Sequence, residues 1–233
     1  MMEWLDTAPE VNVADREYRR LLGYPPGVEL TERARELASW ARDWYARCGR
    51  PWVYAREAAS VDIDGLTASS RWLRRTFEQA EAHSAILVAL SAGGEVEAEA
   101  RRLWEDEKPD EYFFLDVLGA AVVEHLMTTT GARLCAWADE QGLAVLPHYS
   151  PGYPEWDIGE QGQLLALIRR SGKMPGSLEA LESGALRPTK SQLAVFGVTR
   201  HTERARRLTE LVPCTTCSYH PCVYRRRPEK EKS

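Results

Sequence analysis

The chain lacks the long apolar runs and the basic balance that mark membrane proteins and nucleic-acid-binding proteins. No run approaches the roughly 18 apolar residues of a membrane-spanning helix. Residues 1–6 have neither the basic nor the apolar segment of a signal peptide. The net charge is −5, and the basic end of the chain contains Arg225, Arg226 and Arg227. Because nucleic acids are bound chiefly by neutralising phosphates, we expect a cytoplasmic protein with neither nucleic acid nor membrane as a partner.

Common catalytic signatures are also missing from the sequence. The histidines form no Ser-His-Asp pattern, and Gly93-Gly94 alone is too little for a phosphate-binding loop. The cysteines near the C-terminus do not have the C-x3-C-x2-C spacing of radical S-adenosylmethionine enzymes. With 44% hydrophobic and 28% charged residues, the composition indicates an ordinary buried core and nothing more specific. The function must therefore be sought in local motifs.

Helical patterns interleave with a few strand patterns along the chain, which predicts the α+β class. Residues 1–50 form an N-terminal segment with helical spacing, in which Thr31 is a candidate N-cap. Residues 51–212 form the predicted core, and residues 213–233 form a cysteine-containing, basic tail. We find no internal repeat and no long linker between these parts.

Within the predicted core, two strands and one long helix have the clearest signals. The compact apolar run Ser84–Ser91 is typical of a strand buried on both faces. Residues 193–199 form a second apolar strand pattern, and alternation around residues 52–55 and 61–63 predicts further strands. A long apolar helix is predicted to start near Asp110.

The most informative motif is a Pro-Gly-Tyr-Pro turn in the segment 147–156. Such a turn makes a rigid, exposed backbone that carries an aromatic ring. Further along, residues 188–191 (Pro-Thr-Lys-Ser) lead into the apolar run 193–198. Together these segments resemble the S-adenosylmethionine-binding activation domain of cobalamin-dependent methionine synthase, and residues 116–124 resemble the central helix of that family. The resemblance covers most of residues 15–200.

The resemblance implies a helmet-like fold, with an antiparallel sheet and surrounding helices. In the family, this domain holds S-adenosylmethionine against the corrin, and one electron plus the sulfonium methyl group restores methylcobalamin from the oxidised cofactor. A stand-alone activation-type protein would need a separate cobalamin-binding protein, or other methionine synthase modules, and an electron donor as partners. The implied role is reductive reactivation of a corrinoid in methionine synthesis.

The residues that would contact S-adenosylmethionine follow from the same resemblance. They lie in the turn, in the central helix and before the apolar strand: His148, Ser150, Pro151, Gly152, Tyr153, Glu124, Lys190 and Ser191. The alternative role of Glu124 is an ordinary surface or capping charge, and Lys190 and Ser191 are expected to shape the cavity or to touch the corrin. His148 departs from the family pattern, which has an arginine four residues before the glycine. An arginine offers the ligand carboxylate a permanently charged, two-pronged contact, whereas the charge of a histidine varies near neutral pH.

Further side chains near the turn suit the positive groups of the same ligand. A sulfonium and an ammonium group favour carboxylates and aromatic faces. Besides Glu124, the candidate carboxylates are Glu155 and Asp157, and the candidate faces besides Tyr153 are Tyr149 and Trp156. Packing within a tight turn is the alternative role of these aromatic residues.

A cysteine array near the C-terminus predicts a second kind of site. Cys214, Cys217 and Cys222 have C-x2-C-x4-C spacing, at which thiolates can hold a zinc ion or an iron–sulfur cluster. His220 is a candidate fourth ligand for zinc. A redox thiol pair is an alternative. The array lies beyond the part of the chain that closely resembles the activation domain, so the resemblance does not decide between these sites.

Two other functions remain open on the sequence. The first is a metal- or iron–sulfur-bearing redox or chaperone protein that associates with a corrinoid but does not use S-adenosylmethionine. His148 and the cysteine array favour this function. The second is a helical interaction module without a ligand. The Pro-Gly-Tyr turn favours the activation-type function over both.

Overall fold

A five-stranded antiparallel sheet with helices on both faces organises the chain. The structure is a computed structural model that describes residues 2–25, 27–58, 60–175 and 178–205. The helices are α1 (Asp15–Leu21), α2 (Glu32–Cys48), α3 (Ser60–Ser69), α4 (Arg71–Ala80), α5 (Gly94–Glu105), α6 (Pro109–Glu140) and α7 (Gln161–Arg169). The strands are β1 (Glu3–Asp6), β2 (Trp52–Glu57), β3 (Ser84–Ser91), β4 (Ala144–Val145), β5 (Glu179–Ala180), β6 (Leu186–Arg187) and β7 (Ser191–Thr199).

The two central strands, β3 and β7, divide the interior into two cores. The sheet order is β1-β2-β3-β7-β4, and β3 pairs with β7 along its whole length. Because successive side chains of a strand point to opposite faces, Val88 and Phe196 lie in a core covered by α1, α2, α5 and α6. Leu87 and Val195 lie in a second core covered by α3, α4 and α7. The predicted α+β fold, an antiparallel sheet with surrounding helices, is confirmed.

Helix α6 is the longest element and forms one wall of the first core. Its 32 residues span about 48 Å, and the helix continues without interruption to Glu140. Among the described residues, α6 alone is long and apolar enough to cross a membrane by length and composition, and half of its most apolar window is buried. Core helices pass the same test, so no membrane role follows, and the cytoplasmic location stays a prediction.

One predicted helix boundary is confirmed by the structure, and two predictions about strands fail. The Thr31 hydroxyl accepts a hydrogen bond from the Ala34 backbone N–H at 3.2 Å, which confirms Thr31 as the N-cap of α2. The strand predicted around residues 61–63 is wrong, because these residues belong to α3. The helical interpretation of residues 1–50 also missed β1, which pairs with β2 at the edge of the sheet.

Candidate functional site

The Pro-Gly-Tyr-Pro turn is closed by its own backbone hydrogen bonds. The Gly152 N–H donates to the Trp156 carbonyl at 2.9 Å, and the Tyr153 N–H donates to the Ser150 carbonyl at 3.1 Å. Gly152 has a φ of 91°, and a Cβ at this position would lie 2.8 Å from Ile158 Cδ1. The positive φ would strain any other residue there, whereas the Ile158 methyl is the end of a flexible side chain and can shift. The sequence therefore requires glycine at the point where the turn reverses.

Tyr149 anchors the turn to the sheet and to α4. Its backbone forms a two-way bridge with Val195 of β7, with N···O distances of 2.9 and 2.8 Å. Its ring is buried and stacks on Trp72, with centroids 3.7 Å apart and planes 9° apart. The Tyr149 hydroxyl donates to the Pro154 carbonyl. Tyr149 is therefore a structural support of the turn rather than an exposed ligand face.

A polar cluster of His148, Ser150, Tyr153 and Gln192 forms where the turn meets the start of β7. His148 Nε2 lies 3.2 Å from the Tyr153 hydroxyl. The Gln192 amide nitrogen lies 3.3 Å from Ser150 Oγ and 3.4 Å from the Tyr153 hydroxyl. Three half-buried side chains and one buried serine therefore converge on one place, although His148 and Gln192 are far apart in the sequence.

The predicted residues Lys190 and Ser191 lie next to this cluster but have structural partners. Lys190 Nζ pairs with Asp116 Oδ1 of α6 at 2.9 Å, and only 17% of its side chain is exposed. Gly119 makes room for this contact, since a Cβ there would lie 2.9 Å from Lys190 Cγ. The Ser191 hydroxyl donates to Ser91 Oγ at 2.9 Å. Both residues therefore hold the start of β7 against its neighbours.

Glu124 lies further along α6 on the half-buried side of the helix. Asp116 contacts Lys190, and Glu124, eight residues later, lies about 12 Å further along the axis of α6. Along β7, the four residues from Lys190 to Ala194 cover a similar distance of roughly 13 Å. Because α6 leads from this contact to β4, which pairs with Val198 and Thr199 at the far end of β7, Glu124 comes roughly to the level of Ala194. The fold thus brings the helix that carries Glu124 beside the strand that supports the polar cluster.

The other carboxylates and aromatic faces considered from the sequence have packing or capping roles. Both Glu155 oxygens accept hydrogen bonds from Arg75 Nη2, at 2.8 and 3.0 Å. Asp157 Oδ1 accepts the Gly159 N–H at 2.7 Å and caps the next helical turn. Trp156 is buried in the second core. Among the aromatic residues of the turn, Tyr153 is the half-buried one that reaches the polar cluster.

Sequence reasoning missed Gln192. Strand alternation could have identified Gln192, because it lies on the same sheet face as Ala194 and Phe196. It also directly follows Lys190 and Ser191, which the sequence analysis had selected. The nearness of the turn could not have been found in this way. It depends on the bridge between Tyr149 and Val195, which joins segments far apart in the chain.

The predicted cysteine site cannot be placed in the fold. Cys214, Cys217, Cys222 and His220 lie outside the described residues. Within the described ranges no cluster of three or more metal-binding side chains occurs. In the same part of the chain Cys48 and Cys135 are free thiols, and burial raises the pKa of Cys135 above its ordinary value. The zinc or iron–sulfur site therefore stays a prediction.

Comparison with known proteins identifies the fold. No protein-family model matches the sequence, and no match is found among characterised proteins. Nine chains of solved structures match. One is the crystal structure of the MetH reactivation domain bound to AdoHcy, with a TM-score of 0.53 and 13% sequence identity, over 80% of this chain and 70% of that chain.

The protein is therefore of the α+β class, with a curled antiparallel sheet between two layers of helices. More particularly, its fold is that of the MetH reactivation domain. At 13% identity the likeness concerns the fold, and it leaves the ligand and the activity to be argued from the residues.

Proposed function

We propose that the chain binds S-adenosylmethionine beside the polar cluster, between the Pro-Gly-Tyr turn and α6. The observation that supports this most directly is the convergence of His148, Ser150, Tyr153 and Gln192 on the turn motif. The shared fold adds support, because the solved neighbour is a reactivation domain bound to AdoHcy, the demethylated form of the same ligand.

The residue chemistry of this place fits most of the ligand. The carboxylate of the methionine part would accept a hydrogen bond from His148. The positive sulfonium and ammonium groups would be attracted by the Glu124 carboxylate and by the Tyr153 ring. The Gln192 amide has hydrogen-bonding capacity for the ribose or the adenine. His148 is the weakest part of the fit, because a neutral imidazole donates one hydrogen bond where a guanidinium donates two.

The proposed wider role is the reductive reactivation of a corrinoid carried by another protein. S-adenosylmethionine supplies a methyl group, a separate donor supplies one electron, and S-adenosylhomocysteine is the product. The protein itself would contribute binding and alignment, which are the main contributions of proteins to cofactor chemistry. The expected partners are a cobalamin-binding protein, or the corresponding modules of a methionine synthase, and an electron donor.

A transfer assay tests this role. The chain would be mixed anaerobically with methyl-labelled S-adenosylmethionine, a reductant and the cobalamin-binding module of a methionine synthase in its oxidised form. We expect label to appear in the cobalamin faster than in the absence of the chain. The acceleration should be lost in Tyr153→Ala and kept in Tyr112→Ala, which changes a half-buried tyrosine of α6 outside the polar cluster. Equal rates with and without the chain would refute the reactivation role.

A second candidate function follows from the cysteine spacing. A corrinoid-associated protein that carries zinc or an iron–sulfur cluster would use Cys214, Cys217 and Cys222 and would not need S-adenosylmethionine. The C-x2-C-x4-C array and the histidine at position 148 favour this alternative. The two functions separate in one experiment, because only the first requires Tyr153.

A further inference from the structure

The turn between α5 and α6 presents a large aromatic ring to solvent. Among the described residues, Trp104 is the most exposed large hydrophobic side chain, at 64%. It meets the Tyr112 ring edge-on, with centroids 5.3 Å apart, and most of its surface stays open. Single exposed apolar residues are common in soluble proteins, so Trp104 alone does not indicate a binding surface. Its charged surroundings make it informative.

Negative charge is concentrated around this ring. Residues 104–113 contain five acidic side chains and one basic side chain, so they carry −4 of the net charge of −5. The basic residue, Lys108, lies 4.0 Å from Asp106. In the part of the chain that the structure describes, the exposed carboxylates of Glu105 and Glu107 have neither a hydrogen-bond nor an ion-pair partner. A surface of this charge repels phosphates, which disfavours nucleic acids and anionic lipids as partners.

The two unpaired glutamates are not explained by the stability of the helix end. Helix α5 ends in a Schellman turn, in which the Lys108 N–H donates to the Leu103 carbonyl at 2.9 Å and the Glu107 N–H donates to the Trp104 carbonyl at 3.2 Å. Glu107 has a φ of 56°, at the position where such turns favour glycine. Glu105 is the last residue of α5, where the partial negative charge of the helix end disfavours a carboxylate. Both positions therefore have a side chain that local structure does not favour.

Two other glutamates with the same backbone conformation show what such a side chain does in this fold. Within the described ranges the non-glycine residues with positive φ are Glu81, Glu107 and Glu155. The Glu81 carboxylate accepts a hydrogen bond from Arg204. The Glu155 carboxylate accepts from Arg75 Nη2 at 2.8 Å. Glu107 differs from both, because no arginine of the described residues contacts it.

We propose that the α5–α6 corner binds an arginine in a basic segment of a separate protein. The guanidinium group would stack on the exposed Trp104 ring and would donate hydrogen bonds to the carboxylates of Glu105 and Glu107. A lysine fits less well, because an ammonium group has neither a planar face nor a two-pronged arrangement of donors. The proposal does not depend on the function proposed above.

Two short peptides, hexa-arginine and hexa-lysine, are suitable probes because they have equal charge. Binding to the full chain would be followed by the indole N–H signal of Trp104 in nitrogen-15 NMR spectra, assigned by its loss in Trp104→Phe. We expect a saturable shift with hexa-arginine and roughly threefold or more weaker binding of hexa-lysine. Glu107→Gln should weaken the binding of hexa-arginine by roughly fivefold or more.

The chain offers a matched control for the charge. Glu140→Gln removes the same negative charge from an exposed glutamate at the other end of α6, and it should change the binding of hexa-arginine by less than about twofold. Equal losses in Glu107→Gln and Glu140→Gln would mean that the peptide responds only to the net charge of the protein. That result would overturn the proposal.

Glu107→Gly separates binding from a structural role. Because glycine is favoured at this left-handed position, the variant should unfold at a higher urea concentration than the unmodified chain while binding hexa-arginine more weakly. A lower unfolding midpoint would mean that the glutamate supports the fold, and it would count against the proposal. So would unchanged binding of the peptide.

Three further results would overturn the proposal. The first is the absence of a saturable Trp104 shift with hexa-arginine, or equal binding of the two peptides. The second is a Trp104 signal that moves when the arginines at positions 225–227 are replaced by glutamine without added peptide, because the chain itself would then occupy the corner. The third is a Trp104 signal that moves with protein concentration alone, because the occupant would then be a second copy.

Discussion

Replacing His148 with arginine should strengthen the binding of S-adenosylmethionine. An arginine would add a permanent positive charge and a two-pronged contact to the ligand carboxylate. Hydrogen bonds that involve a charged group contribute about 1.5–3 kcal/mol. The substitution also removes the 3.2 Å contact between His148 Nε2 and the Tyr153 hydroxyl, which costs about 1 kcal/mol. The expected net gain is about 0.5–2 kcal/mol, or roughly two- to thirtyfold tighter binding.

Calorimetric titration of His148→Arg and of the unmodified chain at pH 7.5 measures this gain. His83→Arg is the control, because it adds the same charge at the start of β3 and should change the affinity less than twofold. Equal affinity in His148→Arg and the unmodified chain would refute the assignment of His148 as the carboxylate contact. A similar gain in His83→Arg would mean that the added charge acts from a distance.

Three further predictions concern the fold, an acidic group and the C-terminal array. Gly197 lies in β7, and in Gly197→Ala the new Cβ would lie 2.8 Å from the Phe77 ring. We expect urea unfolding to show that the free energy of unfolding falls by about 1–3 kcal/mol. An unchanged unfolding midpoint would contradict this close packing. Hydrogen bonds from Lys173 and Tyr54 lower the pKa of Glu3 from 4.5 to about 2. The stabilisation by this ionised group is therefore present above pH 4.5 and lost as the pH falls towards 2. In Lys173→Met, carboxyl NMR titration should show a higher pKa for Glu3, and an unchanged value would refute this cause. Cys217→Ser should reduce the metal content of anaerobically purified protein, and unchanged content would remove the predicted metal site.

The parts of the fold that could be predicted are those with strong local signals. Residues 84–91 form a continuous apolar run because both faces of β3 are buried. Thr31 could be predicted as an N-cap because a threonine directly before a helical pattern can accept a hydrogen bond from a backbone N–H of the first turn. In the structure its hydroxyl accepts the N–H of Ala34, the third residue of α2. The strand predicted at residues 61–63 was wrong because three alternating residues do not separate a period of 2 from a period of 3.6.

The candidate site could be predicted only in part, because long-range contacts assemble it. The turn motif drew attention to His148 and Tyr153, but Gln192 joins them only because the loop bridges back to β7. Lys190 looked like a ligand residue in the sequence, whereas the fold pairs it with Asp116. The sequence alone does not show that Lys190 forms an ion pair with α6 while the nearby Gln192 contacts the turn.

The measurement that tests the account most directly is titration calorimetry of the anaerobically purified chain with S-adenosylmethionine. We predict saturable binding at one site, at least a tenfold loss of affinity in Tyr153→Ala, and near-normal affinity in Tyr112→Ala. No detectable binding at millimolar ligand would contradict the central claim. The fold of a reactivation domain would then have been kept with a different ligand or with none.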